Sequence, residues 1–148
     1  KDRPLATGSQ FDTPKLPEAS LATAARVDQV GRELLAANPF IGVDPTFHTV
    51  ALPDPAIGHP DFGGVVVTEG LVNRCKTDDE LAAVLATELG QMSAEKRLVD
   101  RVRSADASSA PAPPDARAAT VAILRAAGRS EKDLEGVAQL LSEAARNR

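Results

Sequence analysis

Thr77-Asp78-Asp79-Glu80-Leu81-Ala82-Ala83-Val84-Leu85-Ala86-Thr87-Glu88-Leu89-Gly90-Gln91-Met92 is the stretch that decides the fold of this chain. Thr77 followed three residues later by Glu80 is a capping box placed directly before an apolar run. Leu81, Val84, Leu85, Leu89 and Met92 then recur on one side of a helix, which the pattern carries over about 77–103. Within that helix Thr87 and Gln91 stand four residues apart, so they share a face, with Glu88 beside them. Three polar residues inside an apolar helix must find partners wherever they are buried. They either form a site or fill a cavity.

Working outward, Leu21, Ala24, Ala25, Val27, Val30, Leu34 and Leu35 recur at helical spacing and predict a helix over about 18–37, ended by Asn38-Pro39. Residues 46–51 alternate, are rich in β-formers and read as a strand. Pro53, Pro55, Gly58 and Pro60 read as an irregular segment. Gly63-Gly64 leads into Val65-Val66-Val67-Thr68, a short apolar strand, and Leu71-Val72 into a short helix. Residues 104–114 form a low-complexity loop. A helix is expected from about Asp115 to Ala127, with Gly128 as its stop. Ser130 to Asp133 caps a last helix over 131–146, striped by Leu134, Val137, Leu140 and Leu141. Residues 1–17 hold three prolines and no clear period, and read as an extended or disordered lead-in to a single domain over 18–148. No internal repeat is visible.

Composition narrows the function. Hydrophobic residues are 43% and charged residues 26% of 148, which suits one globular domain. With four Phe and no Trp or Tyr, the core must come from Leu, Val, Ile and Ala. A net charge of −4 gives no footprint for nucleic acid. No window approaches the length of an apolar membrane span. The chain opens on Lys1, which reads as a processed or trimmed start, so a signal peptide or lipid anchor would lie upstream. Cys75 is the one cysteine and excludes an internal disulfide. It sits before the capping box, where a helix N-terminus favours a thiolate, but no Cys–His pattern accompanies it and a packing role is expected. Glu95-Lys96-Arg97 with Asp100, Arg101 and Arg103 is mixed in sign and reads as a solvated helix face.

The order helix, strand, Gly-Gly, strand, Thr-x-Gly-Leu, capped helix with a Glu-Leu-Gly centre resembles the gluzincin metallopeptidases of the CAAX prenyl protease, HtpX and Oma type, metallopeptidase family 48. Val65 to Leu71 is similar to that family's V-x-V-T-x-G-L. Asp79 to Ala86 is similar to its D-E-L-A-A-V-L-A, which in the family runs directly into H-E-[IL]-G-H. In such a helix two histidines at i and i+4 grip one zinc ion, and the intervening glutamate is general base to the zinc-bound water. Here the same register reads Thr87-Glu88-Leu89-Gly90-Gln91. The glutamate is kept, and neither a hydroxyl nor a carboxamide competes with imidazole for zinc. The family's third ligand comes from a glutamate in E-A-D-x-x-A/G at the start of a later helix. Asp115-Ala116-Arg117 matches that position, which places Asp115 as the third-ligand residue and Arg117 where the family has aspartate. The family's substrate-pairing edge strand corresponds to Ala56 to Phe62, where Gly58 and Pro60 weaken strand character. Docking by strand addition is therefore expected to be impaired.

The resemblance implies an α+β fold, a compact zincin-like (gluzincin) domain with a small sheet packed on several helices. It also implies a cleft holding Thr87, Glu88, Gln91, Asp115, His59 and Arg117. Glu88 is then a vestigial general base, no metal or other cofactor is expected, and the domain is an inactive pseudopeptidase. It would act as a binding, scaffolding or regulatory module of the bacterial envelope with a protein or peptide partner. Two other readings stay open. One is a residual zinc endopeptidase with a rebuilt site of His59, Glu88 and Asp115. The other is an envelope interaction domain whose working surface is not the old cleft.

Overall fold

The computed structural model describes residues 19–103 and 115–147. The lead-in expected over 1–17 and the loop expected over 104–114 lie outside the described residues. The chain runs α1 (Leu21–Ala36), β1 (Thr46–Val50), β2 (Ile57–Asp61), β3 (Gly64–Thr68), α2 (Glu69–Arg74), α3 (Asp78–Arg103), α4 (Ala116–Ala126), α5 (Asp133–Gly136) and α6 (Ala138–Arg146). This is the expected α+β arrangement: one three-stranded sheet, order β1-β3-β2, with helices against it.

The core follows from the apolar periods. Val65 and Val67 alternate onto the inner face of β3 and meet Val27, Val30 and Leu34 of α1 and Leu81 to Leu89 of α3 in one cluster. Leu81 through Ala86 are all buried, as are Glu88, Leu89, Gly90, Met92 and Ser93, so α3 runs through the middle of the molecule rather than over its surface. Its start is the expected capping box. The Glu80 N–H donates to Thr77 Oγ1 at 3.1 Å, and the Lys76 N–H donates to Glu80 Oε1 at 2.8 Å.

Two residues of the Val-Val-Val-Thr-Glu-Gly-Leu block have clear structural work. The buried Thr68 hydroxyl receives the Ala56 N–H at 2.9 Å and the Leu71 N–H at 3.2 Å, and donates to the Asp54 carbonyl at 2.7 Å. It is at once the N-cap of α2 and the anchor of the segment leading into β2. Thr68→Val keeps the shape and removes these bonds, together with a longer one from the hydroxyl to the Ala56 carbonyl at 3.3 Å. It is expected to lower the unfolding free energy by about 1–3 kcal/mol, read as a shifted urea midpoint with unchanged slope. Gly70 lies against Pro53, and a Cβ there would stand 1.9 Å from the Pro53 carbonyl oxygen, so only glycine fits.

Two expectations are corrected. The segment read as irregular contains β2. Ile57 pairs with Val67 and Gly58 with Val66, and the register shifts before Asp61 meets Gly64. Pro60 falls inside that irregularity, on an edge strand, so its missing N–H breaks no regular ladder bond. The weakening of strand character expected from Gly58 and Pro60 therefore does not prevent a strand at 57–61. The last helix, expected unbroken over 131–146, is two helices that part at Gly136-Val137. Glycine is a poor helix interior residue, and the bend keeps both Leu134 and Val137 buried.

The C-terminal helices are tied back to the N-terminal half by polar contacts. The Asn38 amide donates to the Leu34 carbonyl at 2.8 Å and the Ile123 carbonyl at 3.1 Å. Arg129, just past the Gly128 stop of α4 (φ +74), pairs with Glu33 of α1 at 2.9 Å and with Asp79 of α3. The Asn147 amide donates to the Pro55 carbonyl at 2.7 Å.

Candidate functional site

A helix turns about 100° per residue, so Thr87, Gln91, Glu95 and Glu88 lie within about a quarter-turn of the surface of α3. The structure divides them into two neighbouring groups.

The first is a clasp onto β2. His59 follows Ile57 by two residues and so points to the same inner side of the sheet, which brings its ring onto α3. Its Nδ1–H donates to Glu88 Oε2, and its Nε2–H donates to Glu95 Oε1 at 2.8 Å. Glu88 is only 1% exposed and the His59 side chain 9%, while Glu95 reaches solvent. Phe62 stacks on the ring at 6.2 Å between centroids. The hydrogen bond to Glu88 raises the His59 pKa above its usual 6.5; burial opposes this, and the bond to Glu95 reinforces it. The imidazolium, with both N–H groups donating, is therefore favoured in the folded state. Unfolding releases it, so the clasp adds its full stability below about pH 6.5 and loses it as pH rises through the higher folded-state value. The thermal midpoint is expected to fall as pH rises above about 6.5 through the folded-state value, and to fall less in Glu95→Gln, which replaces one of the two carboxylates by a neutral amide.

The second group lines a cleft of about 430 Å³ between α3, α4 and the α5–α6 segment. Thr87 and Gln91 form one wall, Arg117 and Thr120 another, and Leu134 and Leu141 a third. The cleft exists because α4 crosses α3 at Gly90, where a Cβ would meet Thr120 Oγ1 at 2.3 Å. The Thr87 hydroxyl donates to the Ala83 carbonyl at 2.8 Å. The Thr120 hydroxyl donates to the Ala116 carbonyl, also at 2.8 Å.

The sequence-expected site residues are thus only partly together. Thr87, Gln91 and Arg117 share the cleft. Glu88 and His59 meet each other beside it. Asp115 is exposed and serves as the N-cap of α4, its Oδ1 receiving the Ala118 N–H at 2.7 Å. The rebuilt set of His59, Glu88 and Asp115 does not assemble, because His59 spends both nitrogens on Glu88 and Glu95 and Asp115 spends an oxygen on its helix. Glu95 was read as part of a solvated face. Its position seven residues after Glu88, hence on the same side of the helix, is the signal that identifies it as a second partner for His59. Cys75 is buried, and burial pushes its thiol up to about 11, which makes it a packing residue rather than a nucleophile.

The model of peptidase family M48 matches residues 22–109, more than half of the chain. The chain belongs to peptidase family M48. The match runs through the sheet and the Thr87-Glu88-Leu89-Gly90-Gln91 helix and stops before α4, so the placement of Asp115 rests on the residues around it alone. No curated protein matches the chain.

Whether an M48 zinc ion fits here is decided by the donors. Thr87 and Gln91 offer a hydroxyl already committed to the backbone and a carboxamide, Asp115 is engaged as a cap, and Arg117 brings a positive charge to the same cleft. Zinc sites are built from imidazole, thiolate and carboxylate, and this set does not fit one. On the clasp side, Glu88 and Glu95 take opposite nitrogens of one ring and so do not converge on a common point. Among the described residues no group of three His, Cys, Asp or Glu side chains is arranged to hold a metal ion. Among them, too, no helix is long and apolar enough to cross a membrane.

Proposed function

We propose that this M48 domain is catalytically inactive and works as a binding, scaffolding or regulatory module of the bacterial envelope, with a protein or peptide as its partner. The observation that supports the reading most is the state of Glu88. Both neighbouring histidine positions hold other residues, and its carboxylate is paired with His59. A general base must be within reach of the proton it removes, and water without a metal is far less acidic than zinc-bound water. The envelope location is carried over from the kind of proteins the chain resembles.

The test is the zinc content of the purified, untagged protein after addition of zinc and dialysis. Less than about a tenth of an equivalent is expected, since catalytic and structural zinc is held tightly. About one equivalent, lost in a Glu88→Gln/Asp115→Asn double variant, would overturn the reading in favour of an enzyme. Tight zinc binding conferred by the triple change Thr87→His, Gln91→His, Asp115→Glu would mean that the scaffold keeps the geometry of a zinc site, and its failure to bind zinc would mean that the cleft has been remodelled.

A further inference from the structure

We infer that the cleft between α3, α4 and α6 is a carboxylate-binding site, taking a carboxylate carried on a short aliphatic chain, as at the C-terminus of a peptide ending in Leu or Val. The inference rests on the reading of the domain as a binding module and names what it binds.

Three features of the cleft point the same way. The first is charge. Among the described residues lining it, only Arg117 carries a formal charge. Arg26, Arg74, Arg125 and Arg129 each hold a carboxylate, whereas Arg117 makes no ion pair within the described residues. Asp115, two positions earlier, turns an oxygen to the Ala118 N–H instead. A guanidinium presents a planar fork of N–H donors that matches a carboxylate edge.

The second is the hydroxyl and amide chemistry. Thr87 and Thr120 have each given their hydroxyl hydrogen to a backbone carbonyl of their own helix, so neither has a hydroxyl hydrogen left to donate to a ligand. Among the described lining residues, the side-chain donors that remain are the Arg117 guanidinium, the Gln91 amide and the Ser142 hydroxyl. They lie on three different elements, α4, α3 and α6. That set serves an acceptor-only ligand group, which an ionised carboxylate is.

The third is shape. A volume of about 430 Å³ is larger than a bare carboxylate requires and lies within the range of small-ligand sites. Leu134, Ala138 and Leu141 line the cleft with apolar surface that accepts an aliphatic chain and offers nothing to a second charge.

The experiment titrates the zinc-free protein, in the presence of chelator, with three probes by amide chemical-shift mapping and calorimetry. The probes are an acetylated Ala-Ala-Leu peptide with a free C-terminal carboxylate, the same peptide as its amide, and isovalerate. The free-acid peptide is expected to bind at least about tenfold more tightly than the amide, the size of one charge-assisted hydrogen-bond pair, with shifts centred on Gln91, Leu134 and Leu141. Arg117→Gln is expected to bring the acid down to the level of the amide while leaving the thermal midpoint in place, since Arg117 is exposed. Gln91→Leu should weaken the acid and spare the amide. If isovalerate binds as tightly as the peptide acid, a free small carboxylate is the ligand; if the peptide binds more tightly, a chain terminus is. Both results support the site. Equal affinity for acid and amide, indifference to Arg117→Gln, or no binding of either acid would overturn it, even in a zinc-free protein whose inactivity stands. Zinc uptake with peptide cleavage would instead overturn the reading on which the inference rests.

Discussion

His59→Ala is expected to lower the unfolding free energy by about 3–5 kcal/mol, the usual cost of removing one partner from a buried ion pair. Glu88 is 1% exposed and its carboxylate is turned to the His59 ring. Truncation leaves that carboxylate in the interior with the imidazolium gone. The Glu95 end of the clasp adds little to the loss, because a half-exposed carboxylate is rehydrated. The same substitution removes the ring on which Phe62 stacks and loosens the edge strand that His59 fastens to α3. Glu88→Gln keeps the shape and removes the charge, so combining it with His59→Ala should restore part of the loss. Denaturant midpoints of the four proteins in the cycle give the coupling. A loss below about 1 kcal/mol for His59→Ala, the size of a surface pair, would mean that other contacts of Glu88 carry its burial and that the ring is incidental.

Gly90→Ala is the second large effect. Alanine is the better helix former by about 1 kcal/mol, and at an exposed helical position the change would stabilise. At Gly90 the new Cβ would stand 2.3 Å from Thr120 Oγ1, 2.8 Å from the Thr120 nitrogen and 2.9 Å from the Ala116 oxygen. A hydroxyl can rotate away, but two backbone atoms cannot, so α4 must move off α3. Overpacking of this kind costs about 1–3 kcal/mol and sometimes more. The net effect is expected to be destabilising, and Gly90→Val should exceed Gly90→Ala. Thr120→Ala in the Gly90→Ala background should return only the hydroxyl's share. A thermal midpoint unchanged by Gly90→Ala would show that the two helices are free to separate without cost.

The parts of the fold that could be read from sequence are those that local chemistry dictates. The capping box at Thr77 and Glu80 and the unbroken apolar stripe behind it announced α3 to within a residue at its start. Asp115 and Gly128 bracketed α4 for the same reason: a cap and a left-handed stop are local devices. β2 was hidden because its existence depends on β3. Gly58 and Pro60 argue against a strand on propensity, and the pairing of Ile57 with Val67 outweighs them. The site followed the same rule. The register of Thr87, Glu88 and Gln91 on one helix was visible at once. The partnership of His59 with Glu88 and Glu95 joins residues 29 and 36 positions apart, and no local pattern reports it.

The ties that run back from α4 and the C-terminal helices have a consequence for where this domain ends. The family-model match ends at residue 109, yet Ile123, Leu124, Leu134 and Val137 belong to the same core as Leu81 to Leu89. Asn38, Glu33 and Pro55 each receive or supply a bond from beyond that point. An excised fragment cut where the match stops would leave the α3 side chains that meet these residues facing water. The recognisable segment and the folding unit are different objects, and the smallest piece able to fold alone reaches past Val137.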